Sequence, residues 1–596
     1  MYRISLIAWI LGAILTGCGQ NSTEHIALNG EWRFQIDRNN QGIQEAWYRV
    51  DQPTGDMRQI QELGFWESIT DRDYDGVGWY FTDFDYHGAF DKAALHFLSV
   101  DDNASVWLNG SKVGDHGGAN QPFKMDVTAH IQKGHNRLAV RIEDTGGFGG
   151  LTGSVEILPF SDEEDLMKGR YFNSQTPEHP PWAEGSVLYE LNTRQFSREG
   201  TFQAVEERLD ELRELGVGII WFMPIHPIGE LKRKGSLGSY YSVKDYYGIN
   251  PEFGTLEDFK RLVDRIHELG MFVIIDMVAN HTAWDNPLID EHPDWYTHDK
   301  KGNIVAPVPD WHDVADLNYG NKALWTYMID MMSYWVKEID IDGYRCDVAE
   351  MVPVEFWIDV RKALDKIKPV FMLAEAETPR LNAYGFDMTY AGAMHRSMNA
   401  IAQGKAPLSR IDEHLQFEYY HYPKNSMRMR FTSNHDENTW NRSAISRMGR
   451  EGAKAGAVLT FTLPGTPLIY NGQEAGLEKA LDFFEKDPIP WKQSDFRALY
   501  TKLSELYRLH PALYRGEMEK LKSGQDDRIY AFIRRDGDDS VLSIVNFSSK
   551  SAQGAVRFNG TGLSLTDVFS GNVVAANDGG LTLDLKPWEY RVFTMH

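Results

Sequence analysis

Cysteine is nearly absent from this chain of 596 residues. It occurs only at Cys18 and Cys346, so a scaffold held together by several disulfides is excluded. Basic residues are also in deficit, because 61 Lys and Arg stand against 86 Asp and Glu, and the formal net charge is −25. This charge repels polyanions, and no local basic patch offsets it. We therefore expect no nucleic-acid partner.

Long apolar runs are lacking as well. The run at residues 4–15 follows Arg3 and is too short for a comfortable transmembrane span, which indicates a targeting signal. Its ending, LTGC at residues 15–18, resembles a bacterial lipobox; an ordinary signal peptide with a chance cysteine is the alternative. The lipobox implies a signal peptide at residues 1–18 and a lipid on Cys18. We thus expect an exported bacterial lipoprotein, anchored to a membrane in the periplasm or at the cell surface, and free of disulfides. Nothing in the sequence indicates an oligomeric state.

The composition is that of a folded enzyme, with 42% hydrophobic residues and 17 Trp, and the length suits two to four domains. Residues 24–160 contain short alternating runs separated by Gly, Asn and Asp turns, which predicts an all-β module. Its stretches LNGEWRF, DYDGVGWYF and VDDNASVWLNGSKVGDHGG resemble the sugar-binding jelly-roll domain that precedes some β-galactosidase-type catalytic domains. The resemblance implies a β-sandwich that either binds sugar or is architectural.

The pattern changes after a polar, proline-containing segment at residues 161–185, which we predict to be a linker. Over residues 186–510, apolar strands alternate with helices, which indicates a parallel sheet of the length that a (β/α)8 barrel needs. A long connection at residues 277–320 follows the third strand, and connections of that length are usually functional. Short β-runs return at residues 511–596. The predicted fold class is therefore α/β, a (β/α)8 TIM barrel flanked by two β-sandwiches.

Ionisable residues recur where the predicted barrel strands end. Catalytic groups of such barrels lie at the carboxyl ends of the strands. Carboxylates follow the third, fourth, fifth and seventh strands, with histidines and one arginine beside them: Asp276, His281, Arg345, Asp347, Glu375, His435 and Asp436. A single strand-end carboxylate is weak evidence, but four indicate an active site.

Glycosidic bond hydrolysis assigns a distinct task to each of two carboxyl groups. Arg345 and Asp347 share a strand face, because side chains alternate with a period of two. Alone, this pair could be a structural ion pair. If it belongs to a site, the cation should keep Asp347 ionised, which suits a nucleophile. Glu375 ends an apolar run, which suits a general acid with a raised pKa.

The remaining polar residues of these stretches are expected to bind the substrate or to lie outside the site. His281 and His435 are expected to be neutral imidazoles that bond to sugar hydroxyls, and Asp436 is expected to hold substrate hydroxyls. Glu377 in LAEAE is a weaker candidate for the acid, since it falls beyond the strand end. Glu350, three residues after the predicted nucleophile, is a second alternative for a catalytic role, but we expect it to be a solvated or substrate-facing residue on the outgoing loop.

The stretches DMVANH, VADLN, GYRCD, LAEAE and SNHD resemble, in order, the characteristic stretches of the α-amylase superfamily, glycoside hydrolase family thirteen. The resemblance spans about residues 186–508. It implies a retaining mechanism with Asp347 as nucleophile, Glu375 as acid/base and Asp436 as transition-state stabiliser. The substrate-binding residues that it implies are Tyr241 (with Tyr240 as the competing choice for the aromatic platform), Asp276, His281, Arg345 and His435. Residues 277–320 would be domain B of this family, and the C-terminal sandwich its domain C.

The expected function is hydrolysis of α-1,4-glucosidic bonds in α-glucans or maltooligosaccharides. DVAEMVPVEFW resembles cyclomaltodextrinases and neopullulanases, so these activities and a 4-α-glucanotransferase are alternatives. A non-catalytic glycan-binding lipoprotein is a remote one, because all three carboxylates are present. No cofactor is required. Calcium at Asn280 is implied by the resemblance alone, and Met351 stands where the family has a histidine.

Overall fold

A computed structural model describes residues 25–28, 30–52, 57–60, 63–66, 74–117, 122–144, 149–558, 564–576 and 580–595. The predicted signal peptide and Cys18 lie outside these ranges. The chain divides into two units, Met1–Gly169 and Arg170–His596. Within the described ranges, no helix combines the length and the apolar character needed to cross a membrane.

The first unit is a β-sandwich. Its elements are β1 (Ile26–Ala27), β2 (Trp32–Ile36), β3 (Arg58–Ile60), β4 (Gly64–Phe65), β5 (Gly76–Tyr86), β6 (Ala93–Phe97), β7 (Asn103–Leu108), β8 (Ser111–Gly117), β9 (Phe123–Asp126), β10 (Gly134–Asp144), β11 (Gly150–Leu151), β12 (Val155–Pro159) and α1 (Glu163–Met167). One sheet has the order β3-β2-β5-β10-β7-β8 and the other β1-β12-β6-β9, and all described pairings are antiparallel. Buried aromatic and aliphatic side chains from both sheets form its core.

The second unit contains a closed barrel of eight parallel strands. Its strands up to residue 470 are β13 (Leu188–Leu191), β14 (Ile219–Phe222), β15 (Phe272–Met277), β16 (His281–Ala283), β17 (Val314–Asp316), β18 (Gly343–Cys346), β19 (Phe371–Ala374), β20 (Met388–Tyr390), β21 (Met427–Arg430) and β22 (Thr466–Tyr470). The barrel order is β13-β14-β15-β18-β19-β20-β21-β22, and β22 pairs back to β13. The predicted barrel is confirmed.

Helices follow and connect the barrel strands. They are α2 (Thr193–Phe196), α3 (Phe202–Glu206), α4 (Leu209–Leu215), α5 (Leu256–Glu268), α6 (Leu288–Glu291), α7 (Lys322–Glu338), α8 (Val354–Leu364), α9 (Pro379–Tyr384), α10 (Gly392–Ala402), α11 (Arg410–His421), α12 (His435–Asn441), α13 (Ala444–Met448), α14 (Arg450–Thr462), α15 (Asp495–Leu509) and α16 (Pro511–Tyr514). Helix α5 illustrates their construction: Thr255 and Asp258 form a capping box, and the helix buries Phe259, Leu262 and Ile266. Helix α6 lies in the insertion after the third barrel strand.

Strand β18, which carries the predicted nucleophile, starts at a position that only glycine tolerates. Gly343 has φ +151°, and a Cβ there would lie 1.9 Å from the carbonyl oxygen of Phe371 on β19. The close approach lets β18 pair with β19 from its first residue, so Tyr344, Arg345 and Cys346 keep a fixed register. Gly343 therefore helps to fix the register of β18, in which the Arg345 side chain points into the barrel.

The insertion after the third barrel strand contains a small antiparallel pair, β16 with β17, in which His281 faces Asp316. At the C-terminus lie β23 (Glu517–Leu521), β24 (Ile529–Asp536), β25 (Asp539–Asn546), β26 (Ala552–Arg557), β27 (Ser564–Asp567), β28 (Val573–Ala575), β29 (Gly580–Leu585) and β30 (Tyr590–Met595). They form a sheet β23-β24-β25-β30-β27-β28 and a pair β26-β29 over an apolar core.

The segment predicted as a linker is ordered on both sides of the division between the units. Helix α1 ends the first unit, and the chain from Arg170 belongs to the second. Trp182 stacks on Phe272 with ring centroids 4.1 Å apart, at the amino end of the third barrel strand. This half of the segment is therefore packed on the barrel.

Candidate active site

One guanidinium connects carboxylates from three neighbouring strands. Arg345 is fully buried, and its Nη1 donates to Asp276 Oδ1 and Asp347 Oδ1, both at 2.8 Å. Its Nη2 lies 3.0 Å from Glu375 Oε2, and its Nε donates to the Tyr390 hydroxyl at 3.2 Å. The carboxyl ends of β15, β18 and β19 thus converge on a single cation, as the strand-end pattern predicts.

Glu375 is also oriented by the turn that follows Asp347. The Val348 N–H donates to Glu375 Oε2 at 2.8 Å. Val348 has φ +36°, a left-handed conformation that is costly for a β-branched residue and is typical of functional sites. Between Arg345 and Asp347, Cys346 is buried and points away from them, as a spacer should.

Asp436 lies in the first turn of α12, and its side chain is 43% exposed. The Asn434 side chain caps this helix by accepting the Glu437 N–H at 2.8 Å. Trp440, one turn further on, donates its indole N–H to Asp436 Oδ1 at 3.2 Å and is itself exposed. The cap and the indole hold Asp436 at the open side of the cluster.

The structure distinguishes between the two adjacent tyrosines. The Tyr241 hydroxyl lies 3.0 Å from Asp276 Oδ2 and 2.9 Å from His435 Nε2, and its ring stacks on His435 with centroids 5.4 Å apart. Tyr240 is buried, and the Arg194 guanidinium lies 4.3 Å from its ring centre. Tyr241 therefore joins the cluster and Tyr240 does not.

His281 matches the neutral imidazole expected for it. It is buried on β16, and its Nδ1 lies 3.2 Å from the Asn280 amide nitrogen. Burial lowers the pKa of His281 to about 4, so the ring is uncharged at neutral pH.

For His435 the expectation of a neutral imidazole is wrong. Its Nδ1 bonds to Oε1 of the fully buried Glu190, and its Nε2 lies 3.3 Å from Asp436 Oδ2. Burial disfavours the charged ring, but Asp436 and Glu190 outweigh burial and raise the pKa of His435 to about 9. The sequence did not reveal that two carboxylates flank this ring.

The carboxyl groups around Arg345 outnumber the cation. Burial raises the pKa of Asp276 to about 6, although Arg345 opposes the shift. Burial and neighbouring Glu375 likewise raise the pKa of Asp347, and Arg345 only opposes them. Arg345 lowers the pKa of Asp347 as predicted, but burial and Glu375 have the larger, opposite effect. Asp276 and Asp347 therefore hold a proton at higher pH than free carboxyl groups do.

The two alternative glutamates are engaged outside the cluster. Glu377 Oε1 pairs with Arg396 at 2.9 Å, and its Oε2 accepts the Ala393 N–H at 2.7 Å. Glu350 is exposed and accepts the Glu377 N–H at 2.8 Å. These contacts favour Glu375 as the acid.

The calcium expected at Asn280 receives no support from the donors around it. The only side-chain contact described for Asn280 is with His281. Across the described ranges, no group of three or more His, Cys, Asp or Glu side chains is arranged to hold a metal ion. Calcium stays a prediction of the resemblance, and no chemical step below uses it.

Several residues of the cluster escaped the sequence reasoning. Glu190 on β13, Trp221 on β14 and Tyr390 on β20 point into the barrel beside Arg345, and the Trp221 indole N–H donates to Asp276 Oδ2 at 3.2 Å. Glu190 is the only charged residue in its apolar strand, and period two puts it on the inner face, so that pattern could have identified it. Trp440 offered no comparable pattern.

Three families match the chain. "Alpha amylase, catalytic domain" matches residues 170–505, "Maltogenic Amylase, C-terminal domain" matches residues 518–592, and "Glycosyl hydrolases family 2, sugar binding domain" matches residues 65–145. The first match covers more than half of the chain.

Individual proteins that are similar to this chain carry names of the same family. The chain is 28% identical over 446 residues to α-amylase MalA of Haloarcula japonica, covering 70% of this chain and 64% of that protein. It is 27% identical over 425 residues to a cyclomaltodextrinase of Geobacillus thermopakistaniensis, covering 66% and 70%. The crystal structure of the maltogenic α-amylase AmyB from Thermotoga neapolitana superposes with a TM-score of 0.65 at 33% identity, covering 69% of this chain and 98% of that one.

The chain therefore belongs to the α-amylase family and is a glycoside hydrolase. The function predicted at this level, hydrolysis of α-glucans, is confirmed.

Proposed function

We propose that this protein hydrolyses α-1,4-glucosidic bonds of starch-derived oligosaccharides or polysaccharides with retention of configuration. Asp347 attacks the anomeric carbon, Glu375 protonates the leaving oxygen and then activates water, and Asp436 stabilises the transition state. The observation that carries the proposal is Arg345, which contacts both Asp347 and Glu375. A shared cation keeps the two carboxyl groups close, which favours the separation of about 5–5.5 Å of retaining enzymes.

The two carboxyl groups receive different hydrogen bonds: Asp347 accepts from the Arg345 guanidinium and Glu375 from the Val348 N–H. Asp347 receives an aligned hydrogen bond from Arg345 Nη1, whereas Nη2 lies near Glu375 without hydrogen-bond alignment. Hydrogen bonds to a carboxylate favour its charged form. In the proposed first step Glu375 gives its proton to the leaving oxygen, and Asp347, held by Arg345, attacks as the carboxylate.

The remaining residues bind the sugar of the −1 subsite. Tyr241 supplies the aromatic face. His281 contributes a neutral imidazole and His435 a positively charged one. Asp276 and Arg345 lie deeper, and Trp221 and Tyr241 bond to the same oxygen of Asp276. Asp276 therefore acts mainly by fixing its neighbours, as does Arg345 by fixing both reactive carboxylates.

Two related activities use the same glycosyl-enzyme. Similarity to a cyclomaltodextrinase and to a maltogenic amylase domain favours short or cyclic maltooligosaccharides as substrates. A sugar acceptor in place of water would make the enzyme a 4-α-glucanotransferase. Trp440, exposed beside Asp436, provides a ring on which a further sugar could stack.

The product profile on maltoheptaose, β-cyclodextrin, pullulan and starch tests this proposal. We expect short α-anomeric products at early times by proton NMR, because retention preserves the configuration. Products longer than the substrate, increasing with added maltose, would favour the transferase. First-formed β-anomers would contradict retention. Absence of turnover on all four substrates would support the glycan-binding alternative.

We propose further that the mature protein is an exported lipoprotein with a lipid on Cys18. The support is the apolar run and the LTGC ending of the sequence. In a bacterial host, Cys18→Ala should move the protein from the membrane fraction to the soluble fraction. Cys346→Ala is the matched control, because it removes the other thiol, which is buried, and should leave the protein at the membrane. Membrane retention of the Cys18 variant would refute the anchor.

A further inference from the structure

Glu190 is a buried carboxylate with an unusual set of contacts. It lies on the otherwise apolar strand β13 with 0% exposure, and its Oε1 accepts from the ring Nδ1 and, at 3.4 Å, from the backbone N–H of His435. Its Oε2 has no hydrogen-bond partner among the described residues. A buried carboxylate is costly unless it has a partner, and the hydrogen bonds described for the Glu190 carboxylate all come from His435.

The hydrogen bonds around His435 define its protonation state. Nδ1 faces the Glu190 acceptor, and Nε2 faces Asp436 Oδ2 at 3.3 Å and the Tyr241 hydroxyl at 2.9 Å. Tyr241 has one hydroxyl hydrogen, and Asp276 Oδ2 lies 3.0 Å from its oxygen. If Tyr241 donates to Asp276, Nε2 must carry a hydrogen to bond Tyr241 and Asp436. Both ring nitrogens are then donors, and the ring is an imidazolium.

The charged groups that face this ring come from several elements. Glu190 lies on β13 and Asp436 on α12, and both favour the cation. Asp276 on β15 faces the ring through Tyr241, and Arg345 on β18 disfavours the charge. Two uncharged rings also contact His435: Tyr241 stacks on it at 5.4 Å, and Trp221 on β14 lies edge-on at 6.1 Å. The carboxylates outnumber the opposing cation, so the balance of charge agrees with the hydrogen-bond pattern.

We propose that Glu190 is a positioning residue, which holds His435 as an imidazolium whose Nε2–H bonds the Tyr241 hydroxyl and faces Asp436 at the −1 subsite. The proposal rests on the retaining glycosidase function inferred above. Glu190 neutralises the charge of His435, so the site gains a strong hydrogen-bond donor with little added net positive charge. This matters because the transition state itself carries positive charge on the sugar. Glu190 itself faces His435 and is not expected to touch the substrate.

The test compares two isosteric substitutions of buried glutamates. Glu190→Gln keeps the shape but removes the carboxylate that faces His435. Glu474→Gln is the matched control: Glu474 is buried and accepts the Tyr189 hydroxyl at 2.6 Å, on the residue before Glu190 and the other face of the strand. Both variants lose one buried carboxylate, but only the first should alter His435.

The primary readout is the NMR titration of the imidazoles in the full chain labelled at histidine Cε1, with His435 assigned by comparison with His435→Gln. We expect the unaltered chain to show a pKa of about 9 for His435. In Glu190→Gln this pKa should be lower by about 1 or more, and in Glu474→Gln it should be unchanged. Because the unaltered chain is tested first, a pKa of His435 near or below its ordinary value overturns the proposal even if a variant fails to fold.

Kinetics supply a second readout. Glu190→Gln should lower kcat/KM by about tenfold, the effect of weakening one charge-assisted hydrogen bond in the transition state, and more strongly at alkaline pH. Glu190→Asp, which restores the charge, should recover part of the loss. Failure of the glycosidase function would appear as no glucan turnover by the unaltered chain. Failure of the present proposal would appear as unchanged imidazole titration in an active Glu190→Gln enzyme.

Discussion

Two clusters of arginine and carboxyl side chains lie on the barrel. One has more carboxyl groups than arginines, and the other has more arginines than carboxyl groups. At the carboxyl ends of the strands, one guanidinium, that of Arg345, faces Asp276, Asp347 and Glu375. On the seventh strand, two guanidiniums face one acid: Arg430 Nη1 and Arg428 Nε donate to Glu418 Oε1 at 2.9 and 3.2 Å.

The ratio of arginines to carboxyl groups decides in which direction the pKa values of the carboxyl groups are shifted. Burial disfavours the charge of Glu418, but Arg430 and Arg428 outweigh burial and lower its pKa. In the first cluster, burial together with competing carboxylates raises the pKa values of Asp276 and Asp347 despite Arg345. A carboxylate with two cations stays ionised and serves as a structural partner. Asp276 and Asp347, which share one cation with a further carboxyl group, hold a proton more readily, and pKa values shifted in this way are typical of catalytic sites.

Among substitutions in the two clusters, Asp347→Asn is expected to reduce catalysis the most. This change removes the proposed nucleophile and keeps the shape of the side chain, so kcat should fall by about 10⁴-fold or more. Melting temperature and maltooligosaccharide affinity should change little, and calorimetry checks both. Near-normal turnover by this variant would remove Asp347 from the mechanism.

Glu375→Gln should have a smaller effect that depends on the substrate. Loss of the general acid should slow the cleavage of maltooligosaccharides by about 10²- to 10⁴-fold. Glucosides with very good leaving groups need no proton and should be partly rescued, which initial rates on an aryl glucoside series would reveal. Equal losses across that series would argue against an acid at this position.

Glu418→Gln should affect stability and leave catalysis intact. The change leaves Arg428 and Arg430 without their anion, and breaking a buried ion pair costs about 3–5 kcal/mol. Denaturant unfolding should register this loss, while kcat per folded molecule stays unchanged. A large fall in kcat with normal stability would mean that the second cluster also takes part in the reaction.

The stretch IDGYRCDVAE shows how far sequence reasoning reaches. Period two correctly placed Arg345 and Asp347 on one face, and the strand-end rule correctly placed Asp276 and Glu375 beside them, because parallel strands end at the same rim. The sequence alone did not identify a pair such as Glu190 and His435, which are 245 residues apart and meet only when the barrel closes. The charge of His435 depends on that meeting.

The sequence also did not predict the local backbone conformation at the site. Tyr240 and Tyr241 are neighbours of the same type, and only the path of their loop decides which one reaches Asp276. The left-handed conformation of Val348 contradicts its local preference, and it serves to direct an N–H toward Glu375. Such exceptions to local rules are expected at functional sites, where the surrounding fold imposes them.

Trapping the glycosyl-enzyme tests the central claim most directly. In Glu375→Gln, an α-glucosyl fluoride should glycosylate the nucleophile, because fluoride leaves without a proton, and hydrolysis of the intermediate should be slow without the general base. Mass spectrometry of a proteolytic digest should then locate the glucosyl group on Asp347. A label on Asp276 or Asp436, or consumption of the fluoride with no detectable covalent intermediate, would contradict the account.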